Sequence, residues 1–333
     1  MSASNYFNKR IILVITTIFA VIVINFFLFR IMPSNPVDIL ISPLQGQEKM
    51  DPKIKEALMH ELGLDRPLYI QFIIYLKNVF TLNLGTSFLS HRPVATIIKE
   101  RLVNTLVLMI SGNILSILLA VSLGVIAAWK RGSKTDVGSL ISALTMTSMP
   151  MFWVGGIILL IFSVRLDLFP MYGTTKIGYS HPNLISFLSD YLHHLTLPMI
   201  TMALVSFGGL FLIMRNALLD VFSEDYIFTA QAIGLSERTI LFKNALQNAL
   251  LPLITVIAIR IGFMMSGALL TETVFSWPGL GYTIYQAVEF RDYPVLQGAF
   301  LIITILVILS NFLAEIIYGL ADPRVRTQSN ESA

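Results

Sequence analysis

The chain has 333 residues, of which 55% are hydrophobic and 13% charged, with a formal net charge of +3 and a mean hydropathy of +0.74. An average soluble domain carries roughly 25% charged residues, so this chain has too little polar surface to cover itself in water, and its apolar excess must face lipid. Long apolar runs without two-residue alternation exclude a membrane barrel. The absence of cysteine excludes disulfide and thiolate chemistry, and no cluster of Lys and Arg interleaved with aromatics suggests nucleic acid.

The first apolar run, Ile11 to Phe29, follows Lys9 and Arg10. Its length, and the lack of a small-x-small site after it, predict an uncleaved span rather than a signal peptide. Residues 32–100 are predominantly polar, carry Pro33, Pro36, Pro43 and Pro52, and include an amphipathic piece from Pro52 to Leu62 that Gly63 can terminate. They read as an ordered extramembrane segment. Further spans are predicted over Leu102–Trp129, Val137–Val164, Leu197–Phe222, Leu251–Val274 and Leu296–Leu320, each long enough for about 30 Å at about 1.5 Å per residue. The predicted fold class is an all-α integral membrane protein. Residues 1–9 lead into a first helix over 10–31, residues 101–320 hold helices two to six, and 321–333 form a tail.

Six spans put both termini on one side. Lys9, Arg10, Lys130, Arg131, Lys134, Arg215, Arg238, Lys243, Arg324 and Arg326 lie in the short connections of that side, against Arg165, Lys176 and Arg291 opposite. Because cations in short loops stay inside, the termini are expected in the cytoplasm and the 32–100 segment outside. Pro150, Gly155, Gly156, Pro198, Gly208, Gly209, Gly262 and Gly267 punctuate the spans. Ordinary close packing accounts for them better than gating hinges.

The stretch from Ser223 to Leu251 runs into Pro252 and reads as two short helices forming a knob. Ser223 is expected to cap the first, with Glu224 and Asp225 at the positive end of its dipole. Tyr226, Ala230 and Ile233 fall at i, i+4 and i+7, an apolar stripe on a helix too short to span anything. Gly234 is placed to stop it in the left-handed conformation and Ser236 to cap the next. Thr229, Ala230, Ala232 and Gly234 are small enough to permit close backbone approach. Pattern alone leaves two readings open, a helix entering a groove on another protein or a surface pair packing on its own bundle.

The residues Asp225-Tyr226, Thr229-Ala230, Ala232, Gly234-Leu235-Ser236-Glu237, Ala245-Leu246 and Asn248 to Pro252 resemble the cytoplasmic coupling loop of permease subunits of binding-protein-dependent ABC importers. The likeness is to the oligopeptide, dipeptide and nickel branch, first-permease type. It extends over nearly the whole chain: Leu62 to Pro67, Leu84-Gly85-Thr86-Ser87, Arg101-Leu102 with Asn104-Thr105-Leu106, Phe152-Trp153, Glu272 to Gly281 and Asp322-Pro323-Arg324 follow in order. Departures are Phe228 where a basic residue is usual, Val103 where proline is common, and Ser34-Asn35 before Pro36 where Gly-Asp is usual.

The resemblance implies a type I importer permease fold of six helices and a multi-pass protein of the inner, or cell, membrane. It implies three kinds of partner: a homologous second permease, two cytoplasmic ABC ATPases, and an extracytoplasmic binding protein delivering peptides. ATP and magnesium would be bound on the ATPases. This chain would then be no enzyme and hold neither cofactor nor catalytic residue. The fragment Gly132-Ser133-Lys134-Thr135 lacks the glycine spacing and Gly-Lys pair of a phosphate loop. Nickel complexes, glutathione or oligosaccharides are the alternative cargoes. An ion-coupled secondary transporter is the rival of another class, and it predicts inverted repeats and acidic midplane residues, neither of which the sequence displays. A membrane scaffold, working through its long outer segment, is a third.

Arg260, Glu272 and Glu315 are charges at or near membrane depth and so functional candidates. Glu272 falls near the outer interface, where loop bracing suffices. Arg260 and Glu315 fall at depths that predict a mutual ion pair. His181, His193 and His194 read as surface histidines rather than metal ligands, because adjacent histidines diverge on a helix. Neither HExxH nor GxSxG occurs.

Overall fold

The computed structural model of the chain describes residues 3–31, 65–263 and 268–321. Among them the only β pairing is an isolated antiparallel bridge between Thr86 and Pro93. The helices in chain order are α1 (Ala3–Ile31), α2 (Leu68–Phe80), α3 (Val94–Trp129), α4 (Lys134–Ser148), α5 (Met151–Leu159) and α6 (Leu184–Phe222). They continue with α7 (Asp225–Ala232), α8 (Glu237–Thr239), α9 (Leu246–Phe263), α10 (Ala268–Val274), α11 (Leu280–Glu289) and α12 (Tyr293–Ala321). Wider π turns over Leu160–Arg165 and Ile240–Ala245 extend α5 and join α8 to α9. Among the described residues five helices are long and apolar enough to cross a membrane, and six when the bent pair α4 and α5 is counted as one span. The protein is an all-α integral membrane protein.

Two compact units divide the chain. Among the described residues the first comprises 3–31, 65–103 and 279–309. Its core brings Val94, Ile97 and Ile98 of α3 onto Leu280, Ile284 and Ala287 of α11 and Val295, Leu296 and Ala299 of α12. α2 lies on α1, where Phe26 meets Phe72 edge-on at 5.2 Å and the Tyr75 hydroxyl donates to Asn25 Oδ1 at 2.9 Å. Burial pushes the Tyr75 phenol up to about 12, so it remains a neutral donor. The tight loop before α3 is stapled by Asp292. Its carboxylate accepts from Ser87 Oγ (2.5 Å), Phe88 N (3.1 Å) and Leu89 N (3.3 Å).

The second unit, residues 104–263, 268–278 and 310–321 among those described, is built on α6. Gly112, Ser116, Ala120 and Gly124 recur every fourth residue along α3. A methyl added at Gly112 or Gly124 would lie 2.9 Å from Cβ of Met202 or Met214 on α6, so this stripe sets backbone-close packing of the kind small residues permit in lipid. Gly208 does the same for α4, since a side chain there would meet the Ala143 carbonyl and the Thr147 hydroxyl.

Several sequence expectations change. The third span is not one helix: α4 and the α5 run are bent by 105° at Met149-Pro150, both extended. Proline lacks the N–H that continued helix needs and pushes its predecessor out of the α region. The second and fourth spans start earlier than read, at Val94 and Leu184. Within the supposedly polar outer segment lies the apolar helix α2. The amphipathic piece at 52–62 lies outside the described residues.

Candidate functional site

The candidate site is the segment after α6. α6 ends at Phe222, and Ser223 turns its hydroxyl back to the Asp220 carbonyl at 2.6 Å. It therefore closes α6 rather than capping α7, whose N-cap is Glu224 with no side-chain bond. Asp225 occupies the first turn, where its charge complements the helix dipole.

α7 ends in a complete Schellman turn. Gly234 N donates to Gln231 O at 3.0 Å and Leu235 N to Ala230 O at 3.2 Å, and Gly234 takes φ +82° as expected. Ser236 then accepts from Thr239 N at 3.3 Å, also as expected. The second helix, however, is no separate short piece. α8, the π turn and α9 follow one another without a loop, so the knob's second half is the start of a span.

The two faces of α7 differ in kind. Ile227 is 1% exposed and Ala230 5%, and both enter a core with Leu210, Phe211, Met214 and Leu218 of α6 and Ile240, Leu241 and Ala245 of the π turn. The inward stripe is thus Ile227 and Ala230. Tyr226 and Ile233, expected beside Ala230, are exposed, the latter at 71%. The outward surface holds Tyr226, Phe228, Thr229, Ala232, Ile233, Gly234, Leu235, Ser236 and Glu237, with the exposed Glu224, Asp225, Gln231 and Arg238 around them and Phe242 beyond. The Tyr226 hydroxyl accepts from Asn248 Nδ2 at 2.8 Å, tying α7 to α9. An apolar outward patch rimmed by charge is the surface pattern of an interaction site.

A buried ion pair holds the same unit together. Arg215 Nε and Nη2 donate to the two Asp136 oxygens at 2.7 and 2.9 Å, and Gly132 N donates to the same carboxylate at 2.9 Å. This fork joins the first turn of α4 to α6. In sequence Arg215 is one cation among many, and nothing pairs it with a residue 79 positions away.

The remaining candidates stand apart from the knob. Glu272 is fully buried; Thr105 Oγ1 donates to it at 2.7 Å, and its carbonyl accepts from Trp277 N at 2.8 Å. It braces α10 against α3. Arg260 donates from Nη1 to the Ser206 carbonyl at 3.1 Å. The expected Arg260 to Glu315 pair involves a side chain outside the described residues. The histidines are braces too: His181 meets Asp190 at 2.9 Å and His194 meets it at 3.3 Å, while His193 reaches the Leu168 carbonyl at 2.9 Å. His194, read as a surface residue, is buried. Among the described residues no group of three His, Cys, Asp or Glu is arranged to hold a metal.

Residues 120–327 match the family described as binding-protein-dependent transport system inner membrane component, and residues 4–109 match the N-terminal domain of the same transport systems' membrane components. The chain belongs to this family. Curated relatives align over nearly their whole length. The di/tripeptide transport system permease protein DppB of Pseudomonas aeruginosa (strain UCBPP-PA14) is 37% identical, covering 97% of this chain and 99% of the relative. The dipeptide transport system permease protein DppB of Escherichia coli (strain K12) is 35% identical over 96% and 97%. The oligopeptide transport system permease protein AppB of Bacillus subtilis (strain 168) is 33% identical over 96% and 98%. The chain is thus a membrane permease of a binding-protein-dependent transport system, not a catalytic subunit.

Proposed function

We propose that this permease forms half of the pathway of an ATP-driven peptide importer and that the knob at 223–251 is where a cytoplasmic ATPase docks. The three relatives are named for di/tripeptide, dipeptide and oligopeptide transport, which supports a peptide cargo. The observation that carries the docking assignment is the divided surface of α7. Ile227 and Ala230 anchor it in the bundle, and Phe228, Ile233 and Leu235 are left for a partner. The other members are a homologous second permease, two ATPases holding ATP and magnesium, and a binding protein outside. Nucleotide shifts the bundle between inward-open and outward-open forms only if the ATPases bind those forms differently, and the knob is the surface through which that difference acts.

Gly234 tests the docking. A methyl there meets nothing within 4 Å, so a β-branched side chain costs only the positive φ, roughly 1–2 kcal/mol. Gly234→Val is expected to leave insertion and pairing with the second permease intact. It should also weaken ATPase co-purification and uncouple hydrolysis from uptake in vesicles supplied with loaded binding protein. Full stimulation and full transport in this variant would sink the docking assignment.

The cation asymmetry supports cytoplasmic termini, and the chain's lack of cysteine makes orientation easy to test. Of single cysteines at Ser4, Ser90, Ser133 and Ser329, only the one at Ser90 is expected to react with an impermeant thiol reagent on intact cells. Labelling at Ser133 would reverse the orientation.

A further inference from the structure

Arg260 lies on α9 eight residues beyond Pro252, about 12 Å along the helix axis. Its guanidinium rests on α6 where the backbone is bare: a methyl at Gly209 would lie 2.9 Å from Nη2. Nη1 donates to the Ser206 carbonyl, which is a dipole and not a counter-charge. Among the described residues no carboxylate forms an ion pair with this guanidinium. Five N–H donors fan from a guanidinium, so most remain for another group. Arg260, Ser206 and Gly209 are all only half-buried, and together they make a polar strip at membrane depth. A charge within a membrane bundle faces its interior or a water-filled cavity and pairs there with other polar groups, backbone carbonyls included. The Ser206 carbonyl engages Nη1 alone, and the remaining donors are left for a further polar group.

We infer that Arg260, seated by Gly209 and Ser206, binds the carboxylate of the cargo during passage. The inference rests on the peptide reading above. A peptide carries a C-terminal carboxylate that is ionised at neutral pH, and a guanidinium matches a carboxylate with two parallel hydrogen bonds. The Ser206 carbonyl steadies the fork by one arm and leaves the other free for the ligand. Gly209 is required because any side chain there displaces the guanidinium.

The test uses the whole importer in proteoliposomes, with the second permease, the ATPases and the binding protein. Uptake of dialanine is compared with uptake of dialanine amide, each at a concentration that saturates the binding protein. The binding protein's own preference is common to all permease variants and cancels in the comparison. Arg260→Met is expected to lower the carboxylate-to-amide uptake ratio by about tenfold, the scale of one charge-assisted hydrogen bond. Gly209→Ala keeps the charge and moves only the flexible end of the arginine, so it folds normally and should lower the ratio in the same direction. Arg260→Lys should restore part of it. An unchanged ratio in both Arg260→Met and Gly209→Ala overturns the site. Should Arg260→Met fail to assemble with the second permease, Gly209→Ala decides, and an unchanged ratio there leaves Arg260 as a subunit contact. A wild-type importer that carries neither peptide would remove the peptide reading and the site together, whereas peptide uptake with an unchanged ratio removes the site alone.

Discussion

Arg215→Met is expected to destabilise the permease by about 3–5 kcal/mol, because it strips the partner from a buried carboxylate. Asp136 is 4% exposed and Arg215 16%, so solvent relieves little of the charge that remains. The Gly132 N–H still donates to Asp136, but one neutral donor does not replace a bidentate cation. The double variant Asp136→Leu with Arg215→Met removes both charges and should recover more than half of the loss, since an apolar pair of similar volume is often as good as a buried ion pair. Thermal inactivation of the purified permease followed by size-exclusion chromatography reads both effects. A single variant as stable as wild type would show that the fork does not hold α4 to α6.

Phe228→Asp and Ile233→Asp are expected to reduce transport at least tenfold without unfolding the bundle. Both side chains are exposed, at 59% and 71%, and surface changes usually cost within about 0.5 kcal/mol. Charge placed in the centre of a docking patch costs on the order of 2 kcal/mol or more of binding, which ATPase co-purification should register. Ala230→Trp makes the contrast. Ala230 sits in the bundle core, so overpacking costs about 1–3 kcal/mol or more of stability, and the variant should fail at assembly rather than at coupling. Ile233→Asp with wild-type transport and wild-type ATPase recovery would remove the patch from the docking surface.

What was legible in the sequence was the local chemistry. Gly234 and Ser236 were readable as a left-handed stop and a cap because each acts on neighbours within four residues. The spans were readable as to number and approximate place because each is its own apolar run. Phase and partnership were not. An eight-residue helix with apolar residues at Tyr226, Ile227, Phe228 and Ala230 admits more than one inward stripe, and the core beneath α7 selected Ile227 with Ala230. Ser223 had two helix ends within reach of its hydroxyl, and the Asp220 carbonyl took it. α2 was hidden because prolines and charges on its N-terminal side gave the whole outer segment a polar average. Glu272 with Thr105, and Asp136 with Arg215, are paired across 167 and 79 positions, a separation that only the packing of helices on one another resolves.

The continuity of the knob with α9 has a mechanical meaning. Residues 237–263 form one unbroken helical rod, about 40 Å long at about 1.5 Å per residue. A rigid rod of that length tilted by about 5° about one end would move the other by about 3.5 Å, so its stiffness decides how much of a displacement at Ser236 reaches Arg260. Pro252 interrupts the rod's hydrogen-bond ladder once, because a proline has no N–H to offer the carbonyl four residues back. Bending is therefore concentrated at that residue, which divides the rod into an arm that begins beside the knob and an arm that carries Arg260. Under the docking proposed above, Pro252 is the joint between the arm an ATPase would push and the arm that holds the cation.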